Sequence, residues 1–165
     1  MPVASPDHLR DVLGIFPTGV AVVTTASNGG QMFGVTVNSF NSVSLDPPLV
    51  LFSLSRYLRS LESILQADAF AINFLRDDQR EISMRFATPH CDKWRGIDFR
   101  RGSTGSPILV PALAVLECRP YAQYHGGDHV IVVGEVTHME LDSERRPLVF
   151  FRGQYRQLSM EDTNA

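Results

Sequence analysis

Apolar residues along this chain gather into short runs broken by turn residues, and helical spacing appears in three windows. In "DHLRDVLGIFPTG", Leu9, Val12, Leu13 and Phe16 fall on one helical face, with Asp7 expected as N-cap and Pro17 and Gly19 as the stop. In "RSLESILQADA", Leu61, Ile64 and Leu65 form the inner face of a short amphipathic helix. In "DDQREISMRFA", Asp78 and Glu81 stand at the spacing of a capping box.

The other apolar runs predict strands. "VAVVTT" (20–25) is β-branched, and "SNGG" joins it to "QMFGVTV" (31–37) through an Asn-Gly hairpin signal. "PPLVLFSL" predicts a strand entered through Pro47 and Pro48, and "FAINFL" (70–75) predicts another. Residues 88–111, with proline, glycine and several charges, predict a long surface loop. The last third predicts three strands, "ALAVLECRPYAQY", "HVIVVGEVTHMEL" and "PLVFFRGQYRQL", separated by "HGGD" and "DSERR". Strands outnumber helices and no regular β-α-β alternation occurs, so the pattern implies a mainly antiparallel barrel with a few helices attached. No repeat, low-complexity tract or linker divides the 165 residues, which are enough for one domain with a substantial core.

Composition narrows the function. No run of about eighteen apolar residues occurs, so no membrane span is expected. The opening "MPVASPDHLRDVLGIF" has no basic head or continuous apolar segment, so no signal peptide is expected either. A net charge of -3 argues against a nucleic-acid partner held by phosphate neutralisation. Apart from Lys93, every basic residue is arginine, the better fork for phosphate or carboxylate; compositional bias accounts for the same usage. Two cysteines, Cys91 and Cys118, make no disulfide framework, and neither sits in a C-x-x-C; a cytoplasmic location is the expectation.

Elimination shapes the chemistry. There is no G-x-G-x-x-G, no P-loop and no G-x-S-x-G elbow. His125 and His129 lie four apart, but "GGD" between them breaks any helix and no third ligand is spaced to help, so no metal is expected. His125 reads as a solvated loop residue, His129 as a turn residue starting a strand and His138 as a strand-surface residue. Asp46, before two prolines, shapes a turn, and Glu135 predicts a cross-strand partner. What is left is "GVTVNSFNSVSLDPPLVLFSL" (34–54), crowded with neutral hydrogen-bonding groups and without a reactive one. Such a cradle suits a planar, heteroatom-rich cofactor that brings its own reactivity, and an isoalloxazine ring is one. In "SLSRYLRSLES", Ser53, Ser55 and Ser60 with Arg56 and Arg59 suit a phosphorylated tail; a serine-rich strand-to-helix turn explains them equally well.

Three blocks, "FPTGVAVVTT…GVTVNSFNSVSLDPPLVLFSL", "GGDHVIVVGEV" and "PLVFFRGQYRQL", resemble the short-chain flavin reductases that serve two-component flavin-dependent monooxygenases, with "RF…DKWRGIDF" in the family's order between them. The resemblance covers residues 8–158 and leaves 1–7 and 159–165 as tails. It implies a mainly β (α+β) fold, a Greek-key split β-barrel of the FMN-binding type with flanking helices, forming a homodimer. It also implies reduction of FAD or FMN by NADH or NADPH and release of the reduced flavin to a separate monooxygenase. By position, Thr36, Val37, Asn38 and Ser39, then Ser42 and Val43, fall along the isoalloxazine edge. Tyr57, Leu58, Arg59 and Ser60 fall by the flavin phosphate, and Arg85 and Phe86 match another flavin-contacting pair. His129 resembles a histidine near flavin and nicotinamide, with a supporting role in hydride transfer. Arg152, Gly153, Gln154 and Tyr155 match the block that approaches the pyridine nucleotide, where many relatives carry an acid in place of Gln154. Two rival readings share the fold: a flavin-binding carrier or sensor without turnover, and an oxidase of a small amine or pyridoxine-like substrate.

Overall fold

The computed structural model describes residues 5–142 and 144–159. The chain is mainly β: twelve strands and three short helices among the described residues. Helix α1 (Pro6–Leu13) is capped by Ser5, whose hydroxyl accepts from the His8 N–H at 3.2 Å, with Pro6 opening the first turn. Asp7, expected as the cap, lies inside the first turn and pairs with Arg10 at 2.8 Å.

The main sheet holds seven strands in the order β3-β2-β6-β9-β10-β5-β4, every pairing antiparallel. Its members are β2 (Ala21–Ala26), β3 (Met32–Val37), β4 (Asn41–Leu45), β5 (Pro48–Ser55), β6 (Phe70–Phe74), β9 (Ala114–Gly126) and β10 (His129–Leu141). The β2–β3 hairpin turns at Ser27–Gln31 as the Asn-Gly signal predicts, and β9–β10 turns at Gly127 and Asp128. One core cluster draws Val37 from β3 together with Val50, Phe52 and Leu54 from β5, Ile72 from β6 and Val132 from β10. The sheet therefore curls, bringing strands from opposite ends of the order around the same apolar centre. Its terminal strands β3 and β4 are not paired with each other, so the sheet is not closed into a barrel.

Helix α2 (Leu61–Leu65) buries Ile64 against this core as expected. Helix α3 (Arg80–Ala87) lacks the predicted capping box. Asp78 takes the Arg76 guanidinium at 2.6 Å instead, and the N-cap residue Gln79 ties the Arg76 N–H to the Pro111 carbonyl. Beneath α3, Gly34 faces the Phe86 ring so closely that a Cβ there would collide with it.

Three corrections concern strands. The 88–111 stretch is not merely a loop, for it forms a hairpin of β7 (Phe99–Arg101) and β8 (Pro107–Leu109) with Ile108 and Leu109 buried. Thr24 and Asn73 hold β8 to the core, the Thr24 hydroxyl donating to the Pro107 carbonyl and the Leu109 N–H to the Asn73 amide oxygen. β4 was not expected, because its polar residues are mostly exposed. "PLVFFRGQYRQL" is two strands, β11 (Val149–Phe151) and β12 (Gln154–Arg156), reversed at Arg152 and Gly153, both with positive φ. With β1 (Thr18–Gly19) they form a separate three-stranded sheet. Within "DSERR", Ser143 lies outside the described residues. No helix among those residues is long and apolar enough to cross a membrane.

Candidate functional site

Two strands meet edge to edge without pairing, and a cavity opens there. β3 is bonded to β2 on one side, and its other edge has no strand partner. β5 is bonded to β4 through Leu51, but from Phe52 to Ser55 that edge has no strand partner either. Free strand edges present N–H donors and carbonyl acceptors in alternation. Between them lies a cavity of about 490 Å³, lined by Val35 to Ser39 on one wall and Ser53 to Ser55 on the other. Leu58, Gly126, His129 and Ile131 complete it. Ser39 stitches the walls at one point: its hydroxyl accepts from the Ser53 N–H at 2.9 Å and sits 3.3 Å from the Ser53 carbonyl. No side chain in this lining other than His129 is ionisable, so the wall of the cavity is neutral.

Leu58 also lines a second cavity, of about 440 Å³, whose character is different. Arg59, His90 and Lys93 border it, with Tyr57, Ser60 and Trp94. Arg59 meets the His90 ring at 2.8 Å. Lys93, the single lysine, donates to the carbonyls of Gly34 and Phe86 at 3.1 and 2.7 Å, which pins the 88–94 segment over β3. Burial holds its ammonium below the usual lysine range, against an opposing pull from Cys91. Uniqueness in the chain was the one sequence signal that could have flagged Lys93.

His129 stands at the rim of the first cavity, half exposed, its Nδ1 2.8 Å from the Asp128 carboxylate. That contact, and the imidazole charge behind it, lowers the Asp128 pKa. Arg56, read above as a phosphate donor, points the other way, onto the β9–β10 turn.

The sequence-predicted residues divide by place. Thr36, Val37, Asn38, Ser39, Ser53, Ser55, Leu58 and His129 share the first cavity, and Tyr57, Leu58, Arg59 and Ser60 the second. The Thr36 hydroxyl is already spent on the Ser83 carbonyl at 2.7 Å. Ser42 and Val43 are exposed on β4, outside both linings. Arg85 donates to the Arg95 carbonyl, and Phe86 has no exposed surface, packing edge-on against Trp94. Arg152 and Gly153 line a third hollow with Arg10, Asp11, Gly14 and Ile15. The Tyr155 hydroxyl meets Ser83 at 2.8 Å under the Arg80 guanidinium, and Gln154 accepts from Arg156 at 2.6 Å. In the single chain the 152–155 block therefore lies apart from the seam. Gly126 and Ile131 were missed; Ile131 lines the seam because it is Ser53's register partner, a pairing invisible along the chain.

His125 is not a loop residue but lies on β9, bonded to Arg56. His138 is exposed on β10 as read, and Glu135 has Arg119 as its cross-strand register partner. Among the described residues no group of three histidine, cysteine or acidic side chains could hold a metal ion.

Comparison with known proteins gives this geometry a context. The model of the flavin reductase like domain matches residues 13–159. A longer relative from Rhizobium meliloti is 44% identical over 153 residues, covering 93% of this chain and 49% of that protein, so the chain spans about half of that relative's length. The reductase subunit of a flavin-dependent monooxygenase from Rhodococcus jostii is 39% identical over 158 residues, covering 96% of this chain and 80% of that one. The structure of a Streptomyces globisporus NADH:FAD oxidoreductase in complex with NAD and FAD fragments superposes with a TM-score of 0.90 at 34% identity, over 98% of this chain and 99% of that one.

Proposed function

The chain belongs to the family of flavin reductase like domains, and from that premise we propose that it passes hydride from NADH or NADPH to FMN or FAD and releases the reduced flavin to a separate monooxygenase. The observation that carries this reading is the seam between β3 and β5. Its volume of about 490 Å³ suits a small-molecule site, and its two edges without strand partners, with the Asn38 amide and the serine hydroxyls, offer the donors and acceptors that a pyrimidine-like edge requires. When bound, the flavin accepts the hydride that no side chain here could accept. Asn38, Ser39 and neighbouring N–H groups stabilise negative charge on that ring edge, and His129 at the rim orients the donor. Arg59, His90 and Lys93 in the second cavity, which shares Leu58 with the first, would hold the flavin's phosphorylated tail. Phe86 supports this wall from beneath Gly34 rather than touching the ligand.

Further parts of the reading rest on other features. The unclosed, curled sheet is a split β-barrel of the Greek-key type, and residues 8–158 form the working domain. The chain works as a homodimer: the face of α1 and its exit, with Leu9, Val12, Leu13, Ile15 and Phe16, is exposed in the single chain, Phe16 to 77%, and a second copy covers it. Dimerisation also gives the 152–155 block a route to a seam that it does not reach within one chain. Both cysteines are free, in keeping with a reducing cytoplasm.

The test is oxidation of NADH and NADPH by the purified chain, with and without FMN or FAD. Flavin-dependent oxidation at a kcat on the order of 10 s⁻¹ is the expected result. Tight flavin binding without turnover would favour the carrier or sensor, and failure to bind either flavin would sink the proposal.

A further inference from the structure

Arg56 makes three contacts, all to one hairpin. Its N–H donates to the Asp128 carbonyl at 2.9 Å, its Nε to the Gly127 carbonyl at 2.8 Å, and its terminal nitrogen meets His125 Nδ1 at 2.5 Å. Those partners lie 69 to 72 residues further along the chain, at the end of β9 and on the β9–β10 turn. The turn is otherwise short and open: Gly127 has φ +71 with open space around it, and the Asp128 carboxylate is spent on His129. The guanidinium therefore fixes the Gly127 carbonyl and the His125 ring, while the backbone N–H of the same residue holds the next carbonyl, that of Asp128. The next residue, His129, borders the seam, as Gly126 before the turn does, and is in register with Ser55 at the end of β5.

We propose that Arg56 is a positioning residue, which latches the Gly126–Asp128 turn to the end of β5 so that His129 is held at the mouth of the seam. It acts on the electron donor's side of the site and is not a ligand of the flavin phosphate. The Arg56 guanidinium is turned onto the hairpin and lines neither cavity, whereas Arg59 lines the tail cavity itself. The kinetic part of this inference rests on the proposed flavin reduction; the structural part does not.

The experiment compares Arg56→Ala, Arg56→Lys, His129→Ala and the Arg56→Ala/His129→Ala double variant. Arg56→Ala should raise the KM for NADH and lower turnover by on the order of tenfold, and add little to His129→Ala in the double variant. Its affinities for FMN and riboflavin should both stay within about twofold of the parent, and Arg56→Lys, which keeps a donor but not the fork, should recover part of the loss. Amide hydrogen exchange over residues 124–130 should rise in Arg56→Ala whatever the protein catalyses. A loss of FMN affinity that spares riboflavin would make Arg56 a phosphate ligand and overturn the proposal. Additive losses in the double variant, or unchanged exchange over the turn, would overturn it as well. If Arg56→Ala does not fold, Arg56→Lys and Arg56→Gln carry the same comparisons. If the parent chain oxidises no NADH with flavin, the functional reading fails, and the exchange and flavin-affinity measurements still decide the latch.

Discussion

Asn73 and the β3–β5 seam are both polar places set against apolar packing, yet one is complete and the other is not. The Asn73 amide nitrogen donates to the Val22 carbonyl and the Thr24 hydroxyl at 3.0 and 2.9 Å, and its oxygen accepts from the Leu109 N–H at 2.9 Å. Glu117, nearly without exposed surface, is saturated in the same way. Its carboxylate takes the N–H groups of Ser103 and Thr104 at 3.0 and 2.7 Å and the Thr104 hydroxyl at 2.6 Å. At the seam, by contrast, two strand edges have no strand partners, and the one hydroxyl that crosses the gap is Ser39's. Saturated buried polar groups specify the fold, because removing one strands its partners. Unsaturated ones at a cavity wall specify a ligand, because something must still meet them.

The largest effect should come from emptying the saturated side. Glu117→Ala takes the acceptor from the Ser103 and Thr104 N–H groups, leaves the Thr104 hydroxyl only its Ser106 contact, and should cost roughly 3 kcal/mol in denaturant unfolding, with flavin affinity per folded molecule unchanged. An unaltered unfolding midpoint would show that this carboxylate does not hold the turn. The same group gives the stability a pH dependence. Burial pushes its carboxyl up, but the Thr104 hydroxyl, the Thr104 and Ser103 amides and the His138 charge outweigh that and hold it below its ordinary 4.5. Its contribution is therefore complete above about 4.5 and drains away as pH falls through the lowered value. Glu117→Gln should flatten that acid limb of the stability curve, read as unfolding midpoint against pH.

A smaller but more selective effect should follow from filling the unsaturated side. Ser55 lines the seam opposite Asn38 and Ser39, and Ser55→Trp puts an indole where the ring system is to lie. Flavin affinity, followed by fluorescence titration, should fall at least about tenfold, or about 1.4 kcal/mol. Unfolding free energy should change by less than about 1 kcal/mol, since no buried group is stranded. Undiminished flavin binding would place the ligand elsewhere.

What the sequence revealed and what it hid follow from the same distinction. β2, β3, β5, β6, β9 and β10 were legible because their apolar runs report directly on burial. β8 was not, because "PIL" is bound into the core by Thr24 and Asn73, whose partners lie 83 and 36 residues away. β4 escaped notice because its "NSVSL" faces solvent and has no apolar run to report. The split of "PLVFFRGQYRQL" needed a turn at Arg152, a residue type that rarely takes positive φ. Within the site, Thr36 to Ser39 were found as a contiguous neutral stretch. The contacts of Arg56 were not legible because they run to a distant hairpin, and a serine-rich turn with two arginines looks the same whether it binds a phosphate or a backbone.

The smallest effect is also the sharpest test of the contrast. Ser39→Ala removes the bond from the Ser53 N–H and the contact with its carbonyl. On the saturated side such a loss would strand a donor, but Ser53 faces an open cavity, where water can take the place of the lost hydroxyl. The cost should therefore be about 1 kcal/mol or less, a shift of a few degrees in Tm measured by thermal unfolding. Flavin affinity should move by less than about threefold, because the free edges of β3 and β5 remain. A penalty equal to that of Glu117→Ala would mean that water does not reach the Ser53 N–H and that the seam is a sealed part of the core, with its polar groups consumed like those around Asn73.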